Sequence, residues 1–165
     1  GIWLDAEAAS LRAMRQKDLT ELLMTEAEIF EKAGYRVGIY TNRDWYIHVL
    51  DIGLFLNRFP FWVARYPLMD DGTMVARLSP KEYAEAWQYS SKGKVKGIQT
   101  VVDRDIDYGY EEWERNFTIA LEVIAGKWGS ASTTPSRQEQ LTAAGYSYKK
   151  IQNMVNAYYC ARTRK

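Results

Sequence analysis

The sequence has little of what usually marks a reactive centre. It contains one cysteine, Cys160, and one histidine, His48. A single cysteine excludes an internal disulfide framework. One His and one Cys cannot build a Ser-His-Asp set or a zinc cluster. His48 sits among Tyr46, Ile47 and Val49 and reads as a core-flanking or surface residue. Cys160 reads as a packed helix residue. No apolar run approaches the length of a membrane span, and no signal-peptide pattern is visible. Neither sign of charge is in excess. Lys and Arg total 22 against 21 Asp and Glu, a formal net charge of +1. No global field therefore recruits nucleic acid. Arg162, Arg164 and Lys165 form a short basic tail that reads as solvated. Gly126-Lys127-Trp128-Gly129 lacks the spacing and the Ser/Thr of a phosphate loop. Asp103, Asp105, Asp107 and Glu114 mimic a calcium loop, but Tyr108 stands where the glycine is required. No metal and no cofactor are expected.

Aromatic residues are what the chain has in plenty: 12 Tyr and 6 Trp in 165 residues. Such an excess suits flat ligands such as sugar rings, as well as large cores. Trp3-Leu4-Asp5-Ala6-Glu7 reads as a strand. Strand side chains alternate faces, so Asp5 and Glu7 point one way and Ile2 and Leu4 point toward a core. Two carboxylates at a strand end, on a face open to ligand, suit sugar hydrolysis. A solvated acidic edge is the plainer reading of the same spacing.

The pattern then predicts a helix opened by Asp18 as N-cap with Glu21 three residues on. Its apolar stripe runs from Leu19 to Ala33, and Gly34 stops it. Strands follow at Tyr35–Tyr40, Phe61–Tyr66, Ala86–Tyr89 and Val101–Asp103. Asn42 or Asp44 caps a short helix, and Pro80 opens another between Ser79 and Ala86. The early strand–helix–strand alternation indicates a parallel α/β arrangement, with function at the C-terminal strand ends, while later connections lack room for full helices except between Ser79 and Ala86. The polar strand ends Glu7, Asn42, Tyr66, Tyr89 and Asp103 are the expected address. From Trp113 the grammar becomes helical only: Trp113–Gly126, a helix capped by Thr134 with Pro135, and a third capped by Ser147. The expected division is 1–112 and 113–165. Gly1 opens inside an apolar strand, which reads as a cut edge.

Several of these stretches, in order, resemble family 25 glycoside hydrolases, the phage and bacterial muramidases. They are Ile2–Glu7, Ala33–Asn42, Phe61–Tyr66, Trp87–Ser90 and Val102–Asp105. The resemblance implies a partial (β/α) barrel, the family's strands four to eight, without its first three strands and another active-site Asp. Val123–Gly129, Leu141–Tyr148 and Ile151–Asn156 resemble a short cell-wall-binding repeat, which implies a small three-helix bundle. By resemblance, the reaction is hydrolysis of the MurNAc–GlcNAc β-1,4 bond of peptidoglycan. Glu7 matches the general acid, and Asp5 and Asp103 match the neighbouring acidic residues. A general acid needs a proton near neutrality, which crowded carboxylates and burial favour. Assistance by the substrate's own N-acetyl group is implied as well. Tyr40, Trp62, Tyr66 and Trp87 would line the groove. Trp128, Arg137, Tyr146 and Tyr148 would contact the wall.

The implied partner is peptidoglycan. The chain alone is expected to be weakly active, and to self-associate or to pair with a complementing N-terminal barrel fragment. It is expected to be made in the cytoplasm and to act on the wall after release. The competing reading is a non-catalytic peptidoglycan-binding protein.

Overall fold

The computed structural model describes residues 1–163, with side chains described through Tyr159. Arg164, Lys165 and the side chains of Cys160 and Arg162 lie outside the described residues, and the expectations for them fall there too. No helix among the described residues is long and apolar enough to cross a membrane.

The order of elements is β1 (Ile2–Asp5), α1 (Ala9–Arg12), α2 (Gln16–Lys32), β2 (Val37–Asn42), α3 (Arg43–His48), α4 (Ile52–Phe55), β3 (Phe61–Ala64), β4 (Ala86–Gly93), β5 (Val102–Asp107), α5 (Tyr110–Ile124), α6 (Arg137–Ala143) and α7 (Tyr148–Thr163). The chain divides into two compact units. One holds Gly1–Gly53 and Phe59–Tyr110; the other holds Leu54–Arg58 and Glu111–Lys165.

The first unit is a mixed α/β fold on a five-stranded sheet in the order β1-β2-β3-β4-β5. The first four strands are parallel. β5 runs antiparallel to β4, where the early strand–helix alternation indicates a parallel arrangement. The physical reason is the connection: residues 94–101 are too few for a parallel crossover, so they close a hairpin. The fifth strand is also displaced relative to expectation, so Asp103 stands near its start rather than at its end.

One face of the sheet carries Leu4, Val37, Ile39, Phe61, Val63, Trp87 and Tyr89, all buried. α2 lies against β1 and β2, and α3 against β2 and β3. α2 buries Leu19, Thr20, Leu23 and Ala27, a helical stripe. Its start differs from expectation. Arg15 is the N-cap, and Asp18 sits inside the first turn, bonded to the Arg15 guanidinium at 2.7 and 2.8 Å. The helix expected from Ser79 to Ala86 is absent. A 3-10 turn at Ala76–Leu78 is followed by a single turn in which Tyr83 and Ala84 both donate to the Pro80 carbonyl.

The second unit buries Trp113, Phe117, Ile119, Ala120 and Val123 of α5, Leu141 of α6, and Ile151, Met154 and Val155 of α7. Trp113 stacks on Phe117 at 4.9 Å. Arg58 lies over Phe117 and Tyr158, 5.4 and 5.1 Å from the ring centroids. The cap of α6 is Ser136, not Thr134. Its hydroxyl accepts from the Glu139 amide while the Glu139 carboxylate accepts from the Ser136 amide, a complete capping box.

Candidate active site

The alternation that buries Leu4 and Ile39 sends their neighbours to the other face. Register aligns Asp5 with Tyr40 and Trp62 across β1, β2 and β3. One row further, Asn42, Ala64, Gln88 and Asp105 align across β2 to β5. Laterally paired residues share a face, so these side chains form one surface at the C-terminal ends of β1 to β3.

Glu7 lies two residues past β1 on the same parity as Asp5. The intervening backbone is fixed. The Ala6 amide donates to the Tyr40 carbonyl at 2.8 Å, and the Thr41 hydroxyl donates to the Ala6 carbonyl at 2.7 Å. Glu7 itself is half-buried. Its Oε2 accepts from Asn42 Nδ2 at 3.1 Å. Asn42 therefore has two roles. Its Oδ1 caps α3 by accepting from the Trp45 amide, and its amide nitrogen orients the Glu7 carboxylate.

Gln88 is the hub of the surface. It is buried, and its Oε1 accepts from the hydroxyls of both Tyr40, at 2.9 Å, and Tyr66. Burial pushes the Tyr40 hydroxyl up, reinforced by Tyr66 and by the charges of Glu7 and Asp5. Burial also raises Tyr66. Its hydrogen bond with Tyr40 opposes the rise, and the charges of Asp103, Glu7 and Asp105 add to it. Both phenols stay protonated at neutral pH and can act as donors. These interactions bring Asp5, Glu7, Asp103 and Asp105 into one electrostatic neighbourhood.

Trp62 spans the row. Its Nε1 donates to Asp105 Oδ1 at 2.9 Å. Its ring meets Tyr40 edge-on at 5.0 Å and Trp3 at 5.7 Å. Trp3 crosses Gly38, where any side chain would collide with its ring. Desolvation raises the Asp105 carboxyl; the Trp62 bond opposes this and the Asp103 charge adds to it.

Of the residues expected to line a groove, Tyr40, Trp62 and Tyr66 lie on this surface and Trp87 does not. Trp87 is 1% exposed, on the helix-covered face, and its Nε1 donates to the Arg65 carbonyl at 2.9 Å. Its odd position in β4, next to inward-facing Gln88, is the reason. Tyr89 is buried on that same side. Gln88 and Asp105 were missed as site residues. The signal that finds both is strand parity, once β5 is read to Asp107 and antiparallel.

In the second unit, Trp128, Arg137, Tyr146 and Tyr148 are all half-buried. Trp128 Nε1 donates to Glu122 at 2.9 Å, and its ring meets Tyr146 edge-on at 5.9 Å. Arg137 donates through Nε and Nη2 to the Gly129 carbonyl at 3.1 and 2.9 Å. Trp128 and Arg137 thus tie the loop between α5 and α6 to its helices.

The residues that would hold a calcium ion occupy a strand and a helix rather than a loop, with Asp103, Asp105 and Asp107 in β5 and Glu114 in α5. No group of metal-ligating side chains occurs among the described residues.

The sequence profile of glycosyl hydrolases family 25 matches residues 2–98. That of the CW_7 repeat matches residues 118–158. No curated protein matches the chain. Similar solved structures include the catalytic domain of an endolysin from a bacteriophage of Listeria monocytogenes. It is 23% identical, with a TM-score of 0.50 over 68% of this chain and 51% of that one. The modular Cpl-1 endolysin, solved with a peptidoglycan analogue, is 24% identical, with a TM-score of 0.51 over 64% and 29%. A glycosyl hydrolase 25 virulence factor of Streptococcus pneumoniae is 24% identical, with a TM-score of 0.50 over 70% and 48%. This chain spans about half or less of each of them, and the likeness is one of fold.

Proposed function

The chain belongs to glycosyl hydrolase family 25, and from that premise we propose that it supplies the acid-bearing part of a muramidase site. The substrate is peptidoglycan and the bond cleaved is MurNAc–GlcNAc β-1,4. The observation that carries this reading is the gathering of Glu7, Asp5 and Asp103 around Tyr40 and Tyr66 on one face of the sheet. Glu7 donates its proton to the glycosidic oxygen as the bond breaks. The neighbouring N-acetyl oxygen of the substrate attacks the anomeric carbon, Asp5 and Asp103 orient it and balance the charge that develops, and water then opens the cyclic intermediate at that carbon, returning a proton to Glu7. Tyr40, Trp62 and Tyr66 stack on sugar faces.

In this reading the sheet corresponds to strands four to eight of a (β/α) barrel, and residues 1–112 are that part. β1 is an edge strand. Ile2 and Ala6 donate to the β2 side, which turns Trp3 and Asp5 backbone groups toward the outer edge. A further parallel strand would pair there. These 165 residues alone therefore turn over slowly, and they self-associate or pair with a polypeptide carrying the other strands. Residues 113–165, read as a three-helix bundle, retain the enzyme on the wall after its release from the cell. A single copy binds weakly. Trp128, Tyr146 and Tyr148 are the contact candidates. Arg137 is the fourth, although its bonds to Gly129 engage it structurally.

The test is release of reducing sugar from purified cell walls by the chain alone and by the chain with a polypeptide carrying the remaining strands. Activity should rise on mixing, and Glu7→Gln should abolish it, because Gln keeps the shape without a proton to give. Lysis by the Glu7→Gln mixture would place the acid elsewhere. Wall retention without turnover in any combination would favour the non-catalytic binding protein.

A further inference from the structure

The hairpin joining β4 to β5 holds a cleft that the proposed chemistry does not use. Its tip is a tight turn in which the Ile98 amide donates to the Val95 carbonyl at 3.0 Å. Gly97 takes the third position with φ +91°, a value that favours glycine. The cleft measures about 440 Å³ and is lined by Lys94, Val95, Lys96, Ile98, Thr100 and Val101 among others. Its lining combines two lysines with the part-exposed aliphatic side chains of Val95, Ile98 and Val101. Because β4 is parallel to β1 and β5 returns antiparallel, the hairpin rises from the same end of the sheet as Asp5 and Glu7.

The hairpin is held in place at its base. Asp70 accepts from the Ser90 hydroxyl at 2.5 Å and the Ser91 amide at 2.8 Å. Gly72 lies so close to the strand that a Cβ there would stand 2.8 Å from the Lys92 carbonyl. The Arg104 stem crosses Gly93 on the partner side. The two lysines are thus presented from an anchored base.

We propose that this cleft binds a short acidic peptide, with carboxylates on Lys94 and Lys96 and small apolar side chains on Val95, Ile98 and Val101. Resting on the muramidase reading, the occupant is the carboxylate-bearing stem peptide that hangs from the glycan strand. Lysine ammonium groups on flexible stems are point donors, suited to carboxylates whose spacing varies. A phosphate chain would favour bidentate guanidinium groups or a nest of backbone amides, and would gain nothing from aliphatic side chains.

The test uses the full chain and its Lys94→Gln/Lys96→Gln variant, both exposed-loop changes. Four probes are titrated: a disaccharide–tetrapeptide wall fragment, the free tetrapeptide, the same disaccharide without peptide, and poly(ribitol phosphate). Both peptide probes should bind the wild type, more weakly as salt rises, and should lose about tenfold in the variant. The peptide-free disaccharide should bind both proteins alike. Equal binding of the peptide probes by the two proteins overturns the proposal. So does a loss confined to the phosphate polymer, or an equal loss with the bare disaccharide. The free tetrapeptide decides the cleft by itself. Failure of the bare disaccharide to bind even when a polypeptide carrying the remaining strands is added counts against the muramidase reading instead.

Discussion

Replacing Asp70 by alanine should unpin the β4–β5 hairpin, at a cost that depends on pH in a defined direction. Asp70 accepts from the Ser90 hydroxyl at 2.5 Å, the Ser91 amide at 2.8 Å, the Gly72 amide at 3.1 Å and the Ser91 hydroxyl at 3.3 Å. A hydrogen bond to a charged acceptor contributes about 1.5–3 kcal/mol net. The site is half-buried, so water replaces part of what is lost, and the longest bond counts for little. The expected loss for Asp70→Ala is about 3 kcal/mol at neutral pH. Burial pushes the Asp70 carboxyl up, but the bonds from Ser90, Ser91 and Gly72 outweigh it and hold the group below its ordinary value. A carboxyl depressed in the folded state contributes stability that is full above its unfolded value, about 3.9. That stability drains away as pH falls through the folded value. The gap between wild type and variant should therefore be widest near pH 7 and close at the acid end. Urea unfolding measured across that range gives the gap, and hydrogen exchange at the Ser91 amide reports the clamp locally. A gap that stays constant with pH, or a Ser91 amide equally protected in both proteins, would refute the reasoning.

Other expectations follow from the same geometry. Trp87→Ala should destabilise the first unit by about 3–5 kcal/mol, as a large buried side chain does, and urea unfolding checks it. Arg137→Ala should lower the stability of the second unit by about 1–2 kcal/mol through its lost bonds to the Gly129 carbonyl. A thermal melt beside a wall pull-down separates this from lost contact, since unchanged melting with lost retention would make Arg137 a pure ligand contact. Asp105→Asn should raise the melting temperature at neutral pH and change it little at pH 3. Desolvation, opposed by the Trp62 bond and reinforced by Asp103, raises this carboxyl, so its folded form is favoured when protonated and penalised as pH rises through its folded value. A variant that melts lower at pH 7 would show that the charge on Asp105 is needed for the fold.

Much of this arrangement is legible in the residues, and the departures have local causes. Period-two alternation placed Leu4 on one face and Asp5 and Glu7 on the other, because parity needs only the strand to exist. Glycine stops such as Gly34 and Gly145 were readable for the same local reason, and both take positive φ. The start of α2 was misread because Asp18 has a nearer partner in Arg15 than the backbone amide it would have capped. Thr134 and Ser136 both satisfy a capping pattern on paper. Glu139, three residues after Ser136, decides between them by returning the second bond. The direction of β5 turns on connection length, a constraint between elements rather than within one. Missing it also hid Asp105, whose role appears only when β5 lies beside β4 and Trp62 reaches across. The resemblance implies a groove position for Trp87. Its parity against Gln88 already argued otherwise.

The face that carries the carboxylates is organised by neutral donors. Among the described residues, arginine and lysine pair with acids elsewhere: Arg12 with Asp44, Arg15 with Asp18, Lys150 with Glu112. Glu7 is oriented by the Asn42 amide and Asp105 by the Trp62 indole, while Gln88 holds Tyr40 and Tyr66 through one carbonyl oxygen. Amide, indole and phenol donors fix direction without supplying a full positive charge. The negative potentials of Asp5, Glu7, Asp103 and Asp105 therefore add rather than cancel. A guanidinium at this position would form a tighter lattice and would occupy the Glu7 oxygen that now meets, among the described residues, only the Asn42 amide. Orientation by neutral groups keeps the Glu7 and Asp105 carboxylates in place without neutralising them.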